Sequence, residues 1–190
     1  QKGVSVVSPK KELLEEHLSR QVYYYYDSHW NQLGAYIGAR SLLSSWNVSM
    51  PALSERVITS KSLSGNYHYN AQDDLARMVG LRSVLDDETE YEIEGTFPVD
   101  WKAYGSEQSA KSVSHFSNET AANRAKVFLV GDSFRSALVP ALAEQFTDVY
   151  VIRRQDYKPE MLDDIQPDYL VAEYAERYSK SIGYMGILLP

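Results

Sequence analysis

No cysteine occurs among the 190 residues. That absence excludes thiol nucleophiles, cysteine-ligated zinc and disulfide frameworks. It leaves the compartment open, because exported proteins also lack cysteine at times. No apolar run is long enough to span a bilayer. Basic residues are outnumbered, 19 Lys and Arg against 26 Asp and Glu, for a formal net charge of -7. This argues against a duplex-binding surface, which needs clustered basic groups to neutralise phosphates, and no nucleic-acid partner is expected. No HExxH or comparable ligand spacing is present, so a metal site built from Asp27, His29 and His68 lacks a motif.

What is present is enough apolar sequence, 44% of the chain, to bury a core without disulfides or metals. One domain over 1–190 is the expectation at this length. Tyrosine is abundant, with 15 copies, and its apolar face and polar tip suit packing at a rim or contact with sugars. No signal-peptide pattern stands at Gln1. The chain opens on VSVVS (4–8), which reads as a strand, so a fragment lacking an upstream export or anchor segment is expected.

A helix is predicted over 9–21, with Pro9 near its start and Leu13, Leu14, His17 and Leu18 forming a stripe. YYYYDSHW (23–30) reads as an extended or loop segment. The next helix spans roughly 31–46, capped by Asn31 or Asp27, with Leu33, Tyr36, Ile37, Leu43 and Trp46 at helical spacing. ERVITSKSL and TEYEIEGTF read as strands. DDLARMVGL (73–81) reads as a short helix that Asp73 caps and Gly80 ends.

Toward the C-terminus, KVFLV (126–130) is a continuous apolar run, the pattern of a strand covered on both faces. RSALVPALAEQF (135–146) reads as a helix that Pro140 kinks, DVYVI (148–152) as a strand, KPEMLDDI (158–165) as a helix and DYLVAEY (168–174) as a strand. This alternation implies an α/β fold with a parallel sheet. Such sheets place their chemistry at the carboxyl ends of strands, where Gly131-Asp132-Ser133 falls.

Ser133 follows a buried strand and begins a helix. Backbone N–H groups there point toward developing negative charge, and Gly131 permits a tight turn and close approach. A serine needs a base, and the base an orienting acid. Asp27 and His29 supply both if the segment is extended, because residues two apart then share a side. Trp30 and Tyr23–Tyr26 would wall the place where they act, although Trp30 is equally suited to the core. Each motif alone has an ordinary structural explanation, a helix cap beside an imidazole and a turn at a strand end. Together they suggest a triad.

VFLVGDSF resembles the nucleophile block of the SGNH hydrolase superfamily. YYYYDSHWNQLGAYIGARSLL resembles the Asp-x-His-Trp segment of its alginate O-acetyltransferase-like branch, in which acid and base precede the serine, as Asp27 and His29 precede Ser133 here. DDLARMVGL and AEYAER (172–177) are also similar to that branch. The resemblance implies an SGNH-hydrolase-like three-layer α/β domain with a mostly parallel central sheet. It also implies transfer of acetyl groups to hydroxyls of an exported polysaccharide, in an extracytoplasmic setting such as the periplasm or cell surface. The acetyl donor would come by way of a membrane-bound O-acyltransferase. Ser133 becomes the nucleophile, His29 the general base and Asp27 its orienter, with the Ser133 N–H as one oxyanion donor. Superfamily members add a Gly N–H and an Asn side chain. Gly131, Asn66 and Asn118 are candidates for these parts, although asparagines in such stretches also form turns. Arg135 is a candidate for substrate contact or for a surface salt bridge. His68 and His115 have no expected catalytic part. The triad chemistry needs neither cofactor nor metal, and none is expected.

An acetylesterase would use the same triad with water as acceptor, and no motif separates it from a transferase. A glycan-binding domain with a degenerate site is the alternative from another class. The intact Asp27, His29 and Ser133 argue against it.

Overall fold

A computed structural model describes residues 4–63, 74–81, 88–99 and 113–178. The chain divides between two units, Gln1–Gly95 and Thr96–Pro190. The architecture is mixed α/β and, among the described residues, parallel strands occur in the second unit alone. Among the described residues, no helix is long and apolar enough to cross a membrane.

In the second unit the apolar run at 126–130 does what its composition dictates. It forms the body of β4 (Asn123–Gly131), with Val127, Phe128, Leu129 and Val130 all essentially inaccessible. β4 lies inside a four-stranded sheet of order β3-β5-β4-β6, built with β3 (Ser114–Ser117), β5 (Phe146–Arg153) and β6 (Tyr169–Glu173). β5 and β6 run parallel to β4, while the edge strand β3 runs antiparallel to β5.

A 3₁₀ turn, Ser133–Leu138, and then α4 (Val139–Gln145) link β4 to β5. The second crossover contains α5 (Met161–Ile165), whose Met161, Leu162 and Ile165 pack on Phe128, Val130 and Ile152. Pro140 does not kink a helix. It sits in the first turn of α4, where no intrahelical donor is required.

The first unit is built on α2 (Gln32–Ser45), with Leu33, Tyr36, Ile37 and Leu43 buried. Asn31, not Asp27, caps it by accepting from the Gly34 N–H at 3.0 Å. α2 packs against β2 (Glu88–Ile93), which pairs antiparallel with β1 (Ile58–Leu63). α1 (Lys10–His17) buries only Leu13 of its predicted stripe, and Leu14 and Leu18 remain exposed. The segment 4–8 is not a strand. It pairs with nothing described, and Val4 and Val6 are 66% and 90% exposed. α3 (Asp74–Met78) is a short helix inside the predicted 73–81, while Asp73 lies outside the described residues.

Candidate active site

In the first unit, residues 22–31 form a closed loop instead of an extended segment. Tyr23 and Trp30 make an isolated antiparallel bridge, the Tyr24 N–H donates to the His29 carbonyl, and the Asn31 N–H donates to Val22. The chain bends between those ends. Asp27 and His29 therefore meet through a local turn and not through strand alternation. Asp27 Oδ1 accepts from the His29 backbone N–H at 2.8 Å and from ring Nδ1 at 2.5 Å. Commitment of Nδ1 to a carboxylate fixes the ring orientation and its tautomer.

Asp27 is 3% exposed. Burial by itself would raise its pKa, but the His29 hydrogen bonds and the Asp74 N–H, which donates to Oδ2 at 3.1 Å, outweigh that effect. The carboxyl titrates below the ordinary aspartate value.

Three acids that hydropathy patterning did not single out hold this loop. Asp74 at the start of α3 accepts from Ser28 N–H at 2.7 Å and from Ser28 Oγ at 2.6 Å. Glu88 and Glu90 of β2 face inward. Glu88 accepts from the Gln21 amide and the Tyr25 N–H, each at 2.6 Å. Glu90 accepts the Tyr24 hydroxyl and, at 2.9 Å, the Tyr91 N–H. Burial raises Glu90 above the usual glutamate range despite these bonds, and it raises Tyr24 well above the usual phenol.

The tyrosine run thus alternates. Tyr24 is buried on Glu90, whereas Tyr23 and Tyr25 are exposed. Tyr25 and Tyr26 line a shallow concavity of about 310 Å³ with Leu75, Met78, Val79 and Leu81. Trp30 is 8% exposed, which gives it a core position. Donor atoms of Asp27, His29 and Asp74 lie within 4.8 Å of one another, close enough to hold a metal ion. The same oxygens already accept from N–H and O–H groups, and hydrogen bonding accounts for the cluster.

In the second unit, Ser133 stands just past the carboxyl end of β4, exposed between the buried Asp132 and Phe134. Asp132 caps the 3₁₀ turn, with Oδ1 accepting from the Phe134 N–H at 2.9 Å and Oδ2 from the Ala175 N–H at 2.9 Å. The Arg154 N–H donates to the Gly131 carbonyl at 2.8 Å. Arg135 is not a surface residue. It is 2% exposed, and its Nη1 donates to the Asp132 carbonyl at 2.5 Å.

Asn118 sits at the other end of the sheet. Its N–H donates to Thr147, early in β5, while Gly131 pairs with Arg153 at the end of that strand. Its amide donates to the Ala143 carbonyl and accepts from Thr120, so it forms a turn remote from Ser133. Asn66 and His68 lie outside the described residues. His115 bonds to Asp148 at 2.9 Å and stacks on Tyr150.

No family model matches the chain, and no curated protein sequence matches it. Solved structures share its fold. A DHHW family protein from Eubacterium siraeum superposes with a TM-score of 0.66 at 17% identity, covering 93% of this chain and 66% of that one. Bacillus cereus PatB1 gives 0.63 at 18% identity, over 89% of this chain and 67% of that one. PatB1 with a sulfonyl adduct gives 0.65 at 16% identity, over 94% and 70%. The O-acetyltransferase domain of Pseudomonas putida AlgJ superposes with a TM-score of 0.45 at 19% identity, over 92% of this chain and 60% of that one, which is too low to assign the fold. The chain therefore spans about two thirds of the length of the first of these structures.

Proposed function

We propose that the chain is a serine-dependent O-acetyltransferase of the SGNH-like kind, in which Asp27, His29 and Ser133 act as one triad. The observation that carries this reading is the 2.5 Å bond from His29 Nδ1 to a buried carboxylate whose pKa is lowered. That arrangement keeps the acid ionised and commits the imidazole to proton transfer through Nε2. Ser133, exposed at the head of a turn after a buried strand, has the position a nucleophile needs.

In the first half-reaction Ser133 Oγ attacks the carbonyl carbon of an acetyl ester while His29 Nε2 takes its proton. The tetrahedral oxyanion is stabilised by the Ser133 N–H. Collapse expels the donor alkoxide, which leaves with the proton from His29, and acetyl remains on Ser133. In the second half-reaction a sugar hydroxyl attacks the acyl-enzyme, His29 accepts its proton, and Ser133 departs with that proton restored. The acceptor is a hydroxyl of an exported or cell-surface polysaccharide. The donor arrives by way of a membrane-bound acyltransferase, and the setting is extracytoplasmic.

The test is incubation with a chromogenic acetyl ester, with and without oligosaccharide. Acetylated oligosaccharide supports the transferase, and acetate alone converts the reading to an acetylesterase. Glycan binding without turnover in the folded protein overturns catalysis. PatB1, a fold neighbour, has been solved with a sulfonyl adduct, which recommends a sulfonyl fluoride as a probe of Ser133.

A further inference from the structure

We propose that Glu173, at the carboxyl end of β6, is a positioning residue for Ser133: its carboxylic acid hydrogen-bonds to Asp132 behind Gly131 and so holds the turn that carries the serine. The inference rests on the reading of Ser133 as the nucleophile.

The geometry is local to the second unit. β6 pairs with β4 so that Glu173 stands beside Gly131. A Cβ built on Gly131 would lie 2.7 Å from Glu173 Oε2 and 3.0 Å from Glu173 Cβ and from Arg135 Cβ. The glycine therefore makes the space that this carboxyl group fills. Glu173 Oε2 is buried and accepts from no donor among the described residues. A buried carboxyl oxygen that no donor reaches is stable when the group is neutral.

The neighbouring Asp132 differs, since both of its oxygens accept backbone N–H groups, from Phe134 and Ala175. Two adjacent carboxyl groups share one proton. The backbone bonds make Asp132 an acceptor, and the unsatisfied oxygen places the proton on Glu173. Burial and the Asp132 charge push Glu173 up to about 9, against the weaker opposing pull of the Arg135 guanidinium. Tyr174 is the other titrating group here. Burial raises it, and it feels Arg154, Asp132 and Glu173.

The chain of consequence is short. The Glu173 acid completes the set of donors to Asp132, Asp132 orders the Phe134 N–H, and that bond begins the turn from which Ser133 projects. Ionisation of Glu173 would set two carboxylates against each other and loosen the cap.

The experiment follows the amide resonances of Phe134 and Ala175 by NMR from about pH 6 to about pH 10, in wild type and in Glu173→Gln. The wild-type resonances are expected to titrate together with a midpoint near the Glu173 value of about 9. Glu173→Gln keeps a donor toward Asp132 and is expected to lose that titration, which also separates Glu173 from Tyr174. Identical profiles in the two proteins overturn the proposal.

Sulfonyl fluoride labelling of Ser133 is the second readout. Glu173→Ala is expected to slow labelling by about tenfold or more, and Glu173→Gln to restore most of it near neutral pH. Labelling of Glu173→Ala at the wild-type rate overturns the positioning role. A folded wild type that resists labelling, while the amide titration differs as expected, overturns the nucleophile reading, and the positioning role falls with it.

Discussion

Gly34 of α2 faces the Val22 carbonyl with no room for a methyl group between them. A Cβ there would also come within 3.0 Å of Trp30 Cβ. This close approach seats the Asp27–His29 loop on the helix. Alanine is ordinarily better than glycine inside a helix by about 1 kcal/mol. Overpacking against rigid backbone costs about 1–3 kcal/mol and should outweigh that gain. Gly34→Ala is therefore expected to lower the urea midpoint and to reduce acetyl-ester turnover. A variant as stable as the wild type would show that the loop gives way without cost.

Ser133→Ala and His29→Ala are each expected to lower ester turnover by at least about a thousandfold. Ser133→Ala should change the thermal midpoint little, because Ser133 is exposed, whereas His29→Ala removes a donor from the buried Asp27 carboxylate and should lower it. Asp27→Asn should also lose most activity. Its amide cannot hold the ring Nδ1–H as a carboxylate does. Near-native turnover by His29→Ala would remove the base from the mechanism. Steady-state kinetics on a chromogenic acetate make the measurement.

The Tyr24–Glu90 pair gives a pH prediction. Glu90 titrates above its ordinary value of 4.5 in the folded chain, chiefly because it is buried. A carboxyl raised in this way contributes stability that is complete below the unfolded pKa and is lost as pH rises through the folded one. Glu90→Gln should remove that loss, so its stability relative to wild type should grow as pH climbs from the ordinary glutamate range. Tyr24→Phe strips a donor from a buried carboxyl and should cost about 1–3 kcal/mol. Urea unfolding of the three proteins across pH checks both statements.

Gly131→Ala should be destabilising by about 1–3 kcal/mol, since the added methyl group meets Glu173 and Arg135. Combined with Glu173→Ala, which vacates part of that space, the penalty should shrink. The double-mutant cycle should depart from additivity by about 0.5 kcal/mol or more. Strict additivity would mean that the two residues do not share the space.

Strands β4, β5 and β6 of the second unit were legible in the sequence because their signals are local, whereas the edge strand β3 lies in a stretch with no clear period. The run KVFLV is apolar without a break, and the punctuation by GDSF and the short helices leaves little choice of order. Asn31 was one of two caps the sequence allowed, and the structure selects it over Asp27. The loop at 22–31 was not legible. Its shape depends on Glu88 and Glu90, 63 to 67 positions away in the chain, whose bonds to Tyr25, Tyr24 and Gln21 turn acids inward. Hydropathy places such residues in solvent. Asp27 and His29 were nonetheless identified as a bonded pair, and only the backbone that joins them was misread. VSVVS failed for the opposite reason. Its β-branched residues favour a strand, but propensity without a partner strand makes none. Asn118 was misplaced because nothing in HFSNET tells which end of a sheet it will occupy.

β4 and β5 have hydrogen-bonded neighbours on both sides, so their amides should be the last among the described residues of the second unit to exchange with deuterated solvent. The Asp27 loop has one isolated bridge and side-chain ties, and should exchange early. The strand that leads into Ser133 is thus braced along both edges, whereas the backbone around His29 is held by its own bridge and by side chains.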